Sequence, residues 1–218
     1  NKILKEQNVK IWNDNASKDF LLSRGLNYEE DDLGPVYGHQ WRYFNAPYTS
    51  CNDDYTNKGI DQIQNLIDNL KNPETRYSRR HIISAWNPIQ IDEMALPPCH
   101  VLFQFHVTRN NKLSCSLYQR SGDVGLGVPF NIMSYSALTI LIAAHCNLEP
   151  YEFIYFLGNT HIYKEHIDVL KEQIKREPYE FPTMTIDNIR QNINDYKLED
   201  FNIKKYKYHD KLTMKINI

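Results

Sequence analysis

The sequence predicts an α/β (α+β) fold in which a mixed β-sheet is flanked by helices. Apolar residues recur at helical spacing over residues 60–71 and again over residues 129–146. Between those stretches the spacing changes to short runs rich in β-branched and aromatic residues, the signature of strands. The 218 residues contain no internal repeat, no low-complexity tract and no long Gly/Ser/Pro linker, so 1–218 reads as a single domain.

In chain order, residues 1–25 are expected to be helical with a break at Asn13-Asp14-Asn15, after which Ser17 is placed to cap a second short helix. Residues 29–56 are polar and turn-rich, punctuated by Gly34-Pro35 and Gly38. Ile60, Ile63, Leu66, Ile67 and Leu70 form one helical face, which Asn72-Pro73 ends. Residues 81–86, 101–108 and 113–120 read as strands. The connection Arg109-Asn110-Asn111-Lys112 is short and polar, so the last two should form an antiparallel hairpin. A helix is expected over 129–146 with Pro129 in its first turn. A strand over 153–157, a helix over 162–176 and strand-like pieces at 183–186 and 212–218 complete the chain. The sheet is expected to be largely buried.

Composition narrows the function classes. Apolar residues make up 41% and charged residues 24%, as in ordinary globular chains. The net charge of −2 gives no global attraction to nucleic acid or to an anionic membrane, so neither is an expected partner. No apolar run, residues 136–145 included, reads as long enough to span a bilayer. The four cysteines have neither CxxC spacing nor a zinc-like Cys/His cluster, so no metal is expected. They read as reduced thiols of an intracellular, cytoplasmic protein. The first residues, Asn1-Lys2-Ile3-Leu4-Lys5, have no signal-peptide core and no initiator Met, which suggests a trimmed or fragmentary chain.

The hairpin has a chemical consequence. With its turn centred near Asn110-Asn111, the register sets Cys99 beside Ser121-Gly122 and Arg120 across from Val101, with cross-strand neighbours ~5 Å apart. A guanidinium near a thiol favours the thiolate, the nucleophilic form, and its planar fork also suits a phosphate. Any one cysteine, taken alone, is more simply a small buried apolar residue. The segment 121–131 then brings three glycines and a helix N-terminus, where backbone N–H groups can face a ligand. Asn131 carries both a donor and an acceptor, suited to an amide-like base edge. The glycine spacing matches neither a dinucleotide fingerprint nor a P-loop, and on the glycines alone a tight strand-to-helix connection is the simpler reading.

Met94-Ala95-Leu96-Pro97-Pro98-Cys99-His100 resembles the catalytic cysteine motif of thymidylate synthases. Leu117-Tyr118-Gln119-Arg120-Ser121-Gly122-Asp123 and Leu126-Gly127-Val128-Pro129-Phe130-Asn131 resemble that family's substrate loop. The likeness covers essentially the whole chain, from Lys10-Ile11-Trp12 and Asp32-Leu33-Gly34-Pro35-Val36-Tyr37-Gly38 through Ser78-Arg79-Arg80 and Ser84-Ala85-Trp86-Asn87. It continues through Gly158-Asn159-Thr160-His161-Ile162-Tyr163, Arg176-Glu177-Pro178 and Leu198-Glu199-Asp200-Phe201.

The resemblance implies conversion of dUMP to dTMP, with 5,10-methylenetetrahydrofolate donating both the carbon and the hydride. It implies that Cys99 adds to C6 of uracil and makes C5 nucleophilic. By the same likeness Arg120 and Ser121 hold the 5′-phosphate, Gly122 belongs to the substrate site, Asn131 reads the uracil edge, and His161 and Tyr163 hold the ribose hydroxyl. The Asp123 backbone meets the pyrimidine and its side chain the pterin. Ile11, Trp12, Leu96, Gly127 and Phe130 line the folate site, and Tyr37 and His100 lie near the nucleophile. His100 adjoins Cys99 on a strand, where neighbours point to opposite faces, so Arg120 is the better activating partner. The resemblance further implies a homodimer, its sheet in the interface, with Arg79 and Arg80 reaching the partner's phosphate. The C-terminal residues up to Ile218 are then a lid that excludes water.

Several features depart from the family. Members normally carry several dozen residues upstream of the position of Asn1, with a phosphate-binding arginine and a proton-relaying glutamate. The 218-residue chain is therefore expected to be a poor catalyst without that N-terminal segment. The loop over 72–77 is longer than usual, Asn15 replaces a tryptophan of some members, and His81 stands at an ordinarily apolar position. Tyr208-His209-Asp210-Lys211 resembles the synthase end of protozoan bifunctional dihydrofolate reductase–thymidylate synthases, which suggests a fused reductase domain. Two rival functions are a nucleotide hydroxymethylase on the same fold and a non-catalytic binding or regulatory fragment. Asn131 favours uracil over cytosine, and the intact Cys99 and Arg120 speak for chemistry.

Overall fold

A computed structural model describes residues 1–216. The end of the expected lid and of the strand over 212–218 lies outside the described residues. Residues 212–216 form no strand, a correction: they carry no ladder hydrogen bonds. The chain divides into two compact units, Asn1–Asp68 with Ile82–Phe103, and Asn69–His81 with Gln104 onward.

The first unit opens with α1 (Lys2–Glu6) and α2 (Lys18–Ser23), separated by turns over the predicted break. Ser17 caps α2 by accepting the Phe20 N–H at 3.3 Å. A third helix, α3 (Tyr37–Tyr43), falls where only turns were expected. The position it buries is the polar Gln40, so its pattern does not read as amphipathic. Gln40 is instead satisfied inside, donating to the Pro35 carbonyl at 2.8 Å and to Gln90 Oε1 at 3.0 Å. Helix α4 (Gln62–Lys71) buries Ile63, Leu66, Ile67 and Leu70 as predicted. Ile60 is not part of it but bridges Phe44, and Asp61 accepts the Gln64 N–H at the helix start. Strand β1 (Ile82–Ser84) neighbours β2 (His100–Val107), with the Ala85 N–H on the Val101 carbonyl at 2.9 Å. The core gathers Leu21, Leu26 and Ala95, with Phe20, Tyr28 and Leu33 packed against them.

In the second unit β2 turns into β3 (Lys112–Asp123). Thr108 closes the hairpin on Lys112 at 2.9 Å, and Asn111 takes a positive φ of 59°. The chain then forms α5 (Gly127–His145) and returns as β4 (Glu149–His161), parallel to β3. Next come α6 (Ile167–Gln173), β5 (Thr183–Ile186) and β6 (Phe201–Lys204), the last two an antiparallel ribbon. Helix α6 is shorter than the helix expected over 162–176, because a 3₁₀ turn, Lys164–His166, precedes it.

Strand β4 is more than twice the predicted length, and one expectation about the sheet fails. Leu113, Cys115, Leu117 and Gln119 are buried, and α5 packs on β3 and β4. On the alternate face Tyr118 and its register partner Phe156, 56% exposed, meet solvent. The sheet is therefore buried on one face rather than largely buried. Helix α5 is also long and apolar enough by length and composition to cross a membrane, which corrects the reading of its run length. It lies between β3 and β4 in the chain, packs on both and buries Tyr135, Thr139, Ile142, Ala143 and His145, as the helix of a crossover does.

Candidate active site

Cys99 stands immediately before β2, behind Pro97 and Pro98. Neither proline has a backbone N–H, so the N–H of Cys99 is the next donor along the chain. It donates to the Tyr37 hydroxyl at 2.9 Å. Tyr37 is the first residue of α3, so the buried Gln40–Asn87–Gln90 network that holds this helix also positions the group touching Cys99. Upstream, the Ala95 N–H bonds to the Leu33 carbonyl at 3.0 Å and fastens the cysteine loop to the unit's core. Around Tyr37 lie two further predicted residues, with ring centroids 5.1 Å away for His100 and 6.4 Å for Trp12. Ile11, Trp12 and Leu96 are half-buried.

The four cysteines differ in what their surroundings allow. Cys115 is 0% exposed, and burial pushes its thiol up to about 12. Partial burial and then the Asp32 carboxylate push the Cys51 thiol up. Cys146 is buried. Cys99 keeps partial access to solvent, which a nucleophile needs.

The second unit assembles most of the predicted nucleotide residues. Arg120, Ser121, Gly122 and Asp123 form the end of β3, which runs three residues beyond the strand predicted and so absorbs the start of the expected glycine loop. In the parallel ladder Ser121 pairs with Asn159, Gly122 with Thr160 and Asp123 with His161. A tight turn follows: the Val124 N–H bonds to the His161 carbonyl and the Gly125 N–H to Asp123 Oδ1, both at 3.0 Å. Helix α5 starts at Gly127, two residues earlier than predicted, and its N-cap Leu126 makes no side-chain cap. Asn131 is consequently its fifth residue, in the second turn and not the first. Its Oδ1 leans back to within 3.7 Å of where a Cβ on Gly127 would lie. Tyr163 follows β4, its ring edge-on to His161 with centroids 5.2 Å apart. Arg79 and Arg80 lie in irregular backbone with exposed side chains, and the Arg79 carbonyl accepts from Gln104 at 3.0 Å.

Sequence reading missed two residues here. Tyr155 donates to Gln119 Oε1 at 2.6 Å and lies 3.5 Å from Asn131 Oδ1, while Gln119 Nε2 donates to the Ser121 carbonyl at 2.8 Å. These contacts link Asn131, Tyr155, Gln119 and the Ser121 carbonyl. The available signal was a polar Gln at an inward position of an otherwise apolar strand face. His166, fully buried, was missed as well.

Of the residues expected to line a folate site, Gly127 and Phe130 stand near the start of α5. Phe130 is 48% exposed, Ile132 and Met133 are exposed beside it, and Asp123 offers a partly exposed carboxylate close to the helix start.

A family model described as "Thymidylate synthase" matches residues 1–218. Thymidylate synthase of Saccharomyces cerevisiae is 51% identical over 226 residues, covering 99% of this chain and 73% of that protein. The Homo sapiens thymidylate synthase is 51% identical over 219 residues, covering 100% and 69%. The bifunctional dihydrofolate reductase-thymidylate synthase of Paramecium tetraurelia is 51% identical over 218 residues. The chain spans 46% of that relative's length and 36% of the corresponding bifunctional protein of Plasmodium chabaudi.

Proposed function

This chain belongs to the thymidylate synthase family, and from that premise we propose that it carries out the reductive methylation of dUMP to dTMP with 5,10-methylenetetrahydrofolate. The observation that carries the reading is Cys99, a partly accessible thiol whose backbone is pinned by Tyr37 behind two prolines. As a thiolate, its sulfur adds to C6 of the uracil. The electrons of the C5=C6 bond move onto the C4 carbonyl, and C5 becomes the nucleophile. The folate, when bound, supplies the one-carbon unit and the hydride that completes the methyl group. Loss of the C5 proton to a base and cleavage of the Sγ–C6 bond restore C5=C6 and release Cys99 as the thiolate.

In this reading Arg120 and Ser121 hold the 5′-phosphate by charge-assisted hydrogen bonds. Asn131 presents a donor and an acceptor to the uracil edge, its orientation supported by Tyr155 and Gln119. His161 and Tyr163 meet the ribose hydroxyl. Trp12, Leu96, Gly127, Phe130 and the Asp123 carboxylate receive the folate. We place the reaction in the cytoplasm of the cell, in a homodimer that lends Arg79 and Arg80 to the partner's phosphate. The solvent-facing pair Tyr118 and Phe156 supports association through the sheet.

The test uses the full native polypeptide with dUMP and methylenetetrahydrofolate, and follows the product by mass. Formation of dTMP, its loss in Cys99→Ser, and a covalent 5-fluoro-dUMP adduct on the Cys99 peptide are the expected results. A product carrying an extra oxygen would reassign the chain to hydroxymethyl transfer. A folded protein with no Cys99 adduct would overturn the reading.

A further inference from the structure

The segment after β6 has no regular structure over 206–216, so side chains must hold it. Upstream, Arg176 Nη1 donates to the Asp210 carbonyl at 2.6 Å, and His209 meets the Glu177 carbonyl at 2.8 Å. Near the end the tie is His166, whose Nε2 lies 2.7 Å from the Lys215 carbonyl. A carbonyl only accepts, so Nε2 carries the hydrogen. His166 is 0% exposed, closes the 3₁₀ turn after β4, and has the Tyr163 ring 5.5 Å from its own. Its Nδ1 has no hydrogen-bond partner and faces Asp123 Oδ1 at 3.7 Å. The same ring fills the space beside Gly125: a Cβ there would lie 2.7 Å from His166 Nδ1 and 3.3 Å from Met214 Sδ. Residues from the β3 end, the β4 end and the C-terminal segment thus meet on one imidazole.

We propose that His166 is a positioning residue: its imidazole latches the C-terminal segment onto the turn at 123–125, and this latch sets the affinity for the folate. The kinetic part rests on the proposed function. A segment that is docked only part of the time weakens apparent folate affinity by the docked fraction, while saturated turnover is preserved. His166 is not itself among the residues proposed to touch dUMP.

The experiment compares His166→Phe, His166→Gln and Gly125→Ala in the full native polypeptide. Phe keeps the aromatic volume but not the donor, Gln keeps a donor near the Nε2 position, and Ala at 125 pushes on the ring. One readout is deuterium uptake in a peptide covering 208–216. The other is steady-state kinetics for each substrate. His166→Phe should speed exchange and raise the folate KM about fivefold, the worth of one net hydrogen bond, with kcat and the dUMP KM within about twofold. His166→Gln should restore both readouts, and Gly125→Ala should speed exchange with His166 intact. If His166→Phe does not fold, His166→Gln and Gly125→Ala decide. Unchanged exchange in a folded His166→Phe or in Gly125→Ala overturns the latch, as does a folate KM that stays constant or moves in step with that for dUMP. A wild type without dTMP formation defeats the proposed function instead, and the exchange readout still judges the latch.

Discussion

At Asp32 a buried carboxylate accepts hydrogen bonds from the Gly34 N–H and the Cys51 N–H, both at 2.9 Å, and from the Tyr48 hydroxyl. Burial and the bond to Asp32 push the Tyr48 hydroxyl far above the ordinary tyrosine value, so it remains a donor. Gly34 stands three residues before Tyr37, so this carboxylate shapes the approach to the helix that touches Cys99. Asp32→Ala leaves those donors unpaired. It should destabilise the protein by about 3 kcal/mol, because each buried unsatisfied group costs roughly 1–3 kcal/mol. Denaturant unfolding of both proteins measures it. A loss below about 1 kcal/mol would show that water replaces the carboxylate at little cost.

Among the elements, the parallel β3–β4 ladder carries the second prediction. Gly158 lies beside Arg120, and a Cβ added to it would sit 2.8 Å from the Arg120 carbonyl oxygen and 3.2 Å from the Tyr118 hydroxyl. Backbone cannot swing aside as a side chain can, so Gly158→Ala must displace β3 at Arg120. The expected outcome is a loss of about tenfold or more in kcat/KM for dUMP with the circular dichroism preserved, since small displacements of positioning groups are costly. The β5–β6 ribbon carries the third. Arg190 grips the buried Asp200 through Nε and Nη2 at 3.0 and 2.7 Å, and the Lys197 N–H adds a bond at 2.9 Å. These hold the Asp200 carboxyl at about 2, below its ordinary 3.8. A depressed carboxylate contributes stability that is full above the unfolded value and lost as pH falls toward the folded one. Wild type should therefore lose Tm between about pH 4 and pH 2 more steeply than Asp200→Asn, which starts several degrees lower at pH 7. Parallel acid melts would refute the clip. The same elements explain what the sequence disclosed. Stripes such as Ile63–Leu66–Ile67–Leu70 were readable because burial there follows helical spacing. Helix α3 was not, because its core position is Gln40, satisfied only by partners about fifty residues away. The flanks of β4 were hidden too: Pro150 and Gly158 are poor strand residues whose conformation is set by β3. Cys99, Arg120 and Asn131 were legible as motifs, whereas Tyr155 and His166 act through contacts that only folding creates.

For the whole molecule, the proposed homodimer rests on the open sheet face and the exposed Arg79 and Arg80. A strand pair with Tyr118 and Phe156 turned to solvent exposes apolar surface on the isolated chain. Arg79 and Arg80 stand outside helix and strand with exposed side chains. A two-fold dimer through the sheet would bury the first feature and employ the second. If the arginines serve the partner's phosphate, Cys99→Ser and the double variant Arg79→Ala/Arg80→Ala should each be nearly inactive alone. Co-expressed, they should recover activity. In a random mixture half of the dimers are mixed, and each mixed dimer holds one site with both an intact Cys99 and intact arginines, giving about a quarter of wild-type activity. Arginines that act within their own subunit allow no such site, and the mixture would stay dead. Sedimentation of Tyr118→Glu/Phe156→Glu separates the two causes of failure, since a monomer there with no complementation in the mixture would keep the interface and dismiss the shared arginines.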